Sequence, residues 1–273
     1  MVIAGVIARI VSNSYLNVFQ KILTKKGARS SEVNFYTYLG LTLCGILLLP
    51  LFKINFCTEL VLNFCIMGIL GALGNYYIIK ALSIGELSAL APINSYKPIV
   101  ALFISFMCLG EIPDTTDILG IGLILFGTCF IVKFGKNINK SAFVYRFMAL
   151  IFSGSEAVFI KKIIILTNLP ASFFLWAFSG LIFAFLFMIF AQETPKMPSK
   201  KELALLILSV GIMQFSTNYV FSKMNVAPAL ALFQLSTIFS VFLGANIFKE
   251  QRFVKKLAAS IIMVLGAVII ILV

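Results

Sequence analysis

Asn75-Tyr76-Tyr77-Ile78-Ile79-Lys80 and Asn218-Tyr219-Val220-Phe221-Ser222-Lys223 set Asn, Tyr and Lys at the same internal spacing in the two halves of one chain. Each stretch leads to a glutamate at the end of an apolar run, Glu111 in the first half and Glu250 in the second. The first interval is longer by about one helical turn. Gly120 and Gly127 stand nine and sixteen residues beyond Glu111, and Ala259 and Gly266 stand at those distances beyond Glu250. Small residues recur where a neighbouring backbone must come close. Nearer the start of each half, Ser12 and Ser14 followed by Lys21 are echoed by Ser153 and Ser155 followed by Lys162. Matches that keep their order along both halves predict an internal duplication.

The solvent for this repeat follows from composition. Of 273 residues, 61% are hydrophobic and 12% charged, whereas a soluble domain carries roughly 25% charged residues; mean hydropathy is +1.06. A bilayer span needs about 20 apolar residues. Runs bounded by charge, Pro or Gly fall at about 2–23, 33–52, 59–82, 87–109, 115–134, 143–164, 171–191, 202–223, 227–248 and 254–273. The first run holds Arg9 and ends near Lys21, Lys25 and Lys26 without a small-residue cleavage site, so it reads as a retained helix. The expected fold is therefore an all-α membrane protein of ten transmembrane helices, in two units at 1–136 and 141–273. Five spans is an odd number, so the second unit enters the membrane from the opposite side. Such inverted repeats are the architectural basis of alternating access.

A net charge of +12 does not argue for nucleic acid, because basic clusters recurring between apolar runs are what membrane orientation requires. Sixteen Lys and Arg residues lie at connections after odd-numbered spans and four at the others, leaving Arg9 and Lys97 inside spans. That bias puts the odd-numbered connections in the cytoplasm and both termini outside. The five cysteines, Cys44, Cys57, Cys65, Cys108 and Cys129, have no CxxC spacing and read as small apolar packing residues. Histidine is absent, which removes the commonest metal ligand and near-neutral acid/base group. No cofactor is expected.

The run from Ser83 to Lys133, with Pro92 early in a helix, Leu109-Gly110-Glu111 at its end and then a helix carrying Gly120 and Gly127, resembles the EamA-type domain of the drug/metabolite transporter superfamily. The second half repeats this pattern as Phe248-Lys249-Glu250 and Gly266, with Lys249 in place of Gly and Leu235 where a matching Pro would stand. The resemblance implies two five-helix domains and a secondary carrier of small metabolites, amino acids or drugs, often an exporter. It also implies cytoplasmic termini, opposite to the charge count. No GxxxxGK[ST] stretch occurs to supply ATP hydrolysis.

Ionisable groups at membrane depth cost several kcal/mol when unpaired, so they face a cavity or a partner. Arg9, Lys97 and Glu156 stand out. Glu156 admits two readings: a carboxylate neutralised by an internal Lys or Arg for structure alone, or a site responsive to protons or substrate. It resembles the membrane-embedded glutamate of small multidrug resistance proteins, with Lys161 or Lys162 following. Lys97 sits in Asn94-Ser95-Tyr96-Lys97-Pro98, between Pro92 and Pro98; each proline removes a backbone donor and favours a kink or an opened turn. With Asn94 and Tyr96, Lys97 would suit an anion or zwitterion. Its ten or so residues to either helix end, about 15 Å, make snorkelling strained.

Asn13 and Asn17 share a face of the first span, with Gln20 a further turn along; Gln214 and Asn218 do so in the eighth, and Gln234, Thr237 and Ser240 in the ninth. Interhelical hydrogen bonding explains such stripes as well as substrate contact does. Tyr76, Tyr77, Tyr219 and Trp176 either line a cavity or anchor at the interface. The expected protein is a multi-pass carrier of a bacterial inner membrane, monomer or homodimer, whose partners are a small-molecule substrate and the lipid bilayer. The competing classes are a non-transporting scaffold or receptor and a membrane enzyme; the latter lacks His, paired intramembrane carboxylates and zinc-ligand spacing.

Overall fold

A computed structural model describes residues 2–133, 139–190, 192, 196–248, 262–266 and 268–270. Among them the chain is helical throughout: α1 (Val2–Lys25), α2 (Ser30–Ile46), α3 (Thr58–Ile84), α4 (Leu87–Leu90), α5 (Lys97–Leu109), α6 (Thr115–Lys133), α7 (Lys140–Leu166), α8 (Leu169–Phe190), α9 (Lys200–Phe221), α10 (Val226–Phe233) and α11 (Ser236–Phe248). Short 3₁₀ turns follow α2 at Leu49–Leu51 and join α4 to α5 at Ala91–Tyr96. Glu250 and Ala259 lie outside the described residues, as does most of the run 254–273.

Helix ends are fixed locally. Asn139 caps α7 by accepting from Ser141 N at 2.9 Å, and Asn168 caps α8 by accepting from Ala171 N at 3.2 Å. The Arg29 backbone N–H donates to Glu32 in the first turn of α2 at 2.9 Å. These contacts satisfy amide donors that a helix start leaves open. At the end of α5, Gly110 takes φ +65°, the left-handed geometry that stops a helix without a Cβ clash.

Among the described residues, five helical stretches are long and apolar enough to cross a bilayer: Val2–Lys25, Thr58–Ile84, Leu169–Phe190, Lys200–Phe221 and the pair Val226–Phe248. α2 has 17 residues, about 25 Å of rise, and α7, 27 residues long, carries Lys140, Arg146, Glu156, Lys161 and Lys162 along its length. Large apolar side chains such as Leu47, Phe103, Phe106, Met107 and Phe190 point outward, while Arg9, Asn17, Gln20, Glu156, Gln214, Asn218 and Gln234 are buried. Apolar outside and polar inside is the arrangement that a lipid environment selects.

The fourth run departs from a continuous helix as its prolines predict: the turn Ala91–Tyr96 interrupts it. The ninth run was expected as one helix over 227–248 and is also broken, at Gln234 and Leu235. No proline marks this second break. Instead Gln234 N bonds Ala231 O and Leu235 N bonds Leu232 O, tightening the turn, and the Gln234 side chain donates to Leu230 O at 2.8 Å. That amide replaces the backbone donor Leu230 O has lost, so the break leaves this carbonyl satisfied.

α3 runs antiparallel along α7, with Gly71 against Glu156 and Gly85 beside Ala142. α1 runs antiparallel along α9: Gly5 meets Tyr219, and at the other end Lys26 pairs with Glu202 at 2.6 Å. α2 lies on α8, with the Tyr38 ring over Gly180. A Cβ on Gly74 would stand 3.2 Å from Ser153 N, and one on Gly120 would stand 2.7 Å from Gly266 O. These glycines are where backbones touch, as the spacing of Gly120 and Gly266 suggested.

Candidate functional site

Where α1, α2, α3 and α5 meet α7, α8, α9 and α10, the packing leaves a cavity of about 90 Å³, taken as the space open to the centre of a water molecule. A space of that size has room for several ordered waters or one small molecule. Arg9, Asn13, Asn17, Asn94, Lys97, Glu156 and Gln214 all reach it, brought together from α1, the 3₁₀ turn, α5, α7 and α9. Arg146, Trp176, Tyr38, Asn75, Thr37 and Ser153 line it as well.

Three predicted residues stand elsewhere. Asn218 is fully buried behind the cavity wall, accepting from Gln214 at 2.8 Å and donating to Ser172 Oγ at 3.0 Å. Gln234 stands behind Asn94, whose amide donates to it at 3.2 Å; the two broken helices therefore touch at their breaks. Tyr96 does not line the cavity, because it packs among the apolar neighbours of Val18, Leu82 and Leu150.

Glu156 sits near the middle of α7 and its Oε1 accepts from Trp176 Nε1 at 2.6 Å. Trp176 is held by Tyr38, 5.2 Å away between ring centroids, and by Phe173 at 6.4 Å. Gly71 supplies the room, since a Cβ there would lie 3.1 Å from Glu156 Cδ and 3.3 Å from Tyr38 Oη. Among the described residues the ion pairs are Lys26–Glu202, Arg29–Glu32 and Lys161–Glu111. Lys161, a suggested companion of Glu156, is thus committed to Glu111. It also donates to Met224 O at 2.9 Å, and Glu111 accepts from Val226 N at 2.9 Å at the start of α10.

The cations are held differently. Arg9 is 7% exposed and its guanidinium lies 4.9 Å over the Phe233 ring. Its Nε and Nη1 have no hydrogen-bond partner among the described residues. Arg146, 4% exposed, donates through Nε to Leu90 O at 3.2 Å, a carbonyl at the C-terminal end of α4, and leaves Nη1 unmatched. Lys97 opens α5 and lies within electrostatic reach of Glu156, Arg9 and Arg146. Neutral amides frame this group. Gln20 donates to Asn75 at 3.1 Å, Asn75 to Asn34 at 2.6 Å, and Asn34 to Ala72 O at 3.1 Å. Asn13 donates to Ser236 Oγ at 2.9 Å.

Trp176 and Arg146 carry the most geometry that sequence reading did not assign to the site. Arg146 lies seven positions from the start of α7, so it counted among charges near a connection. The hint was its wholly apolar neighbourhood, Ala142-Phe143-Val144 before it and Phe147 to Phe152 after.

Comparison with known proteins places these features. Residues 2–133 match the EamA-like transporter family. No curated protein matches the sequence. Among 29 chains of solved structures that match, one known from a crystal structure aligns over 99% of this chain and 99% of its own, with a TM-score of 0.72 and 14% identity. At that identity the likeness speaks for the fold. With the apolar helices, the match supports an integral multi-pass membrane protein whose residues 2–133 are similar to EamA-like transporters.

Proposed function

We propose that the protein is a secondary active carrier that moves a small polar or amphipathic metabolite across a bacterial inner membrane by alternating access, as an exporter driven by a proton or counter-substrate gradient. The observation that carries this reading is the buried polar cavity between helices of the first and second halves. A scaffold has no need to bury two arginines and a carboxylate beside a half-buried lysine at membrane depth, where each is costly.

Two units, 1–136 and 141–273, related as inverted five-helix repeats, would place the cavity at their seam. The packing supports this. Exchange of the halves turns the α1–α9 contact into the α3–α7 contact and the α5–α10 contact into the α4–α11 contact, and it pairs α2 with α8 in mutual contact. The matched asparagines agree: Asn75 ties α3 to Asn34 of α2, and Asn218 ties α9 to Ser172 of α8. Both breaks fall in the fourth helix of their half. Rocking of one repeat against the other about a fixed central site is how such folds alternate.

In this reading Glu156, Lys97, Asn94, Asn13, Asn17 and Gln214 contact substrate or coupling ion, while Asn218 and Gln234 position them. The test is counterflow across a metabolite panel in vesicles holding the purified chain. A solute that exchanges only when protein is present supports the carrier; protein-containing vesicles no more permeable than empty ones, for every solute, refute it.

A further inference from the structure

Resting on that carrier reading, we infer that the cavity is built for a small dianion, a short dicarboxylate or a phosphate monoester, gripped by Arg9, Arg146 and Lys97. The charge balance is the first argument. Three cations and one carboxylate line the space, and Glu156 forms no ion pair within 4 Å among the described residues. Two positive charges are thus left without a protein counter-charge, and buried charge demands a partner.

Geometry is the second. Arg9 lines the cavity and is stacked on Phe233 through the face of its guanidinium, while its enclosed Nε and Nη1 have no partner among the described residues. Arg146 lines the cavity too, is anchored through Nε to Leu90 O and keeps an enclosed, unmatched Nη1. A planar fork of N–H donors matches the two oxygens of a carboxylate or phosphate. Lys97 adds a point charge at the N-terminal end of α5, where the helix dipole also favours an anion.

Glu156 is the third argument. Fixed by Trp176, it repels anions from its side of the cavity, so the ligand orients with its charges toward Arg9 and Arg146. A hydroxyl or protonated group on the ligand would then face the carboxylate. Size is the last constraint: the cavity of about 90 Å³ open to water centres suits a small ligand on the scale of a four-carbon diacid or a three-carbon phosphate ester.

Trp176 is the only tryptophan in the chain and lines the cavity, so its emission reads occupancy directly. The probes are succinate, glycerol phosphate and inorganic phosphate, with alanine as zwitterion and ethidium as cation. They are titrated into the purified full-length protein and then used for counterflow in phosphatidylethanolamine–phosphatidylglycerol vesicles. Saturable emission changes with succinate point to the dicarboxylate, and changes with glycerol phosphate to the phosphate ester; a response to inorganic phosphate alone narrows the ligand to the free ion.

Arg9→Gln and Arg146→Gln are each expected to weaken dianion binding by about 10- to 100-fold, the loss of one charge-assisted contact. The melting temperature of Arg9→Gln is expected to stay level or rise, because unmatched buried donors have been removed, whereas Arg146→Gln also gives up the bond to Leu90 O. Arg9→Lys, which keeps charge and loses the fork, should recover only part of the affinity. The inference fails if alanine or ethidium binds in preference to every dianion, if no dianion perturbs Trp176, or if the Gln variants melt lower and bind dianions as the parent does. Dianion binding without counterflow in sealed vesicles would instead sink the carrier reading and leave the anion site standing.

Discussion

Trp176→Phe isolates one hydrogen bond. The substitution keeps an aromatic ring against Tyr38 and Phe173 and removes the indole N–H that lies 2.6 Å from Glu156 Oε1. A hydrogen bond to a charged group contributes about 1.5–3 kcal/mol, and the space lost from indole to phenyl adds about 1 kcal/mol more. The expected destabilisation is therefore about 2–4 kcal/mol. Most of it should vanish in a background where Glu156 is already Met, since the acceptor is gone and only the packing loss remains. The assay is a double-mutant cycle of unfolding in detergent micelles, followed by circular dichroism because the variant has no tryptophan. A coupling of about 1.5–3 kcal/mol is expected between the two sites. Coupling below about 0.5 kcal/mol would refute the claim that Trp176 holds the carboxylate in place.

Three further perturbations test neighbouring claims. Gly71→Ala puts a methyl group against the Glu156 carboxyl and is expected to cut counterflow at least tenfold, whereas Gly122→Ala, with open space at its Cβ, leaves flux unchanged; equal effects would remove the steric argument. Glu111→Gln leaves Lys161 without its ion partner and weakens the bond to Val226 N. That change should cost about 2–4 kcal/mol at this degree of burial, and Lys161→Met in the same chain should restore part of it in urea unfolding. Glu156→Gln should insert and fold normally yet carry substrate at a rate that no longer varies with pH. A pH profile matching the parent would assign coupling to another of the groups around it, Tyr38, Lys97, Arg9 or Arg146.

Residue chemistry announced the depth of the polar groups before it announced their direction. Glu156, Lys97 and Arg9 were conspicuous because ionisable groups are costly in an apolar run, and all three reach one cavity. Asn13, Asn17 and Gln214 follow from helical spacing, and so does Asn218, which faces the packed side instead. Spacing names a shared face and leaves open what that face meets. These helices are apolar nearly all round, so the usual amphipathic cue to the inner side is weak. Tyr96 shows the cost: beside Lys97 in sequence, it turns into apolar packing because the 3₁₀ turn redirects successive side chains. Two features were harder to read for a different reason. The break at Gln234 has no proline and depends on a side-chain amide reaching back to Leu230 O, a local contact that many unbroken helices also allow. Trp176 was open to a cavity or an interfacial reading, and its placement depends on Tyr38 from another helix, a tertiary partner of which local sequence carries no trace.

The crossing of the two interrupted helices at Asn94 and Gln234 has a mechanical consequence. An unbroken span resists bending because every flexure stretches its ladder of backbone bonds. Here the α-helical ladder already gives way to tighter i→i+3 bonds at the crossing in both members, and an amide contact of 3.2 Å bridges them there. Such a contact is worth about 0.5–1.5 kcal/mol, within a few multiples of thermal energy. The crossing therefore acts as a compliant fulcrum: the four half-rods can pivot about it cheaply, and the energy of a tilt is set by repacking against lipid and neighbours at their far ends.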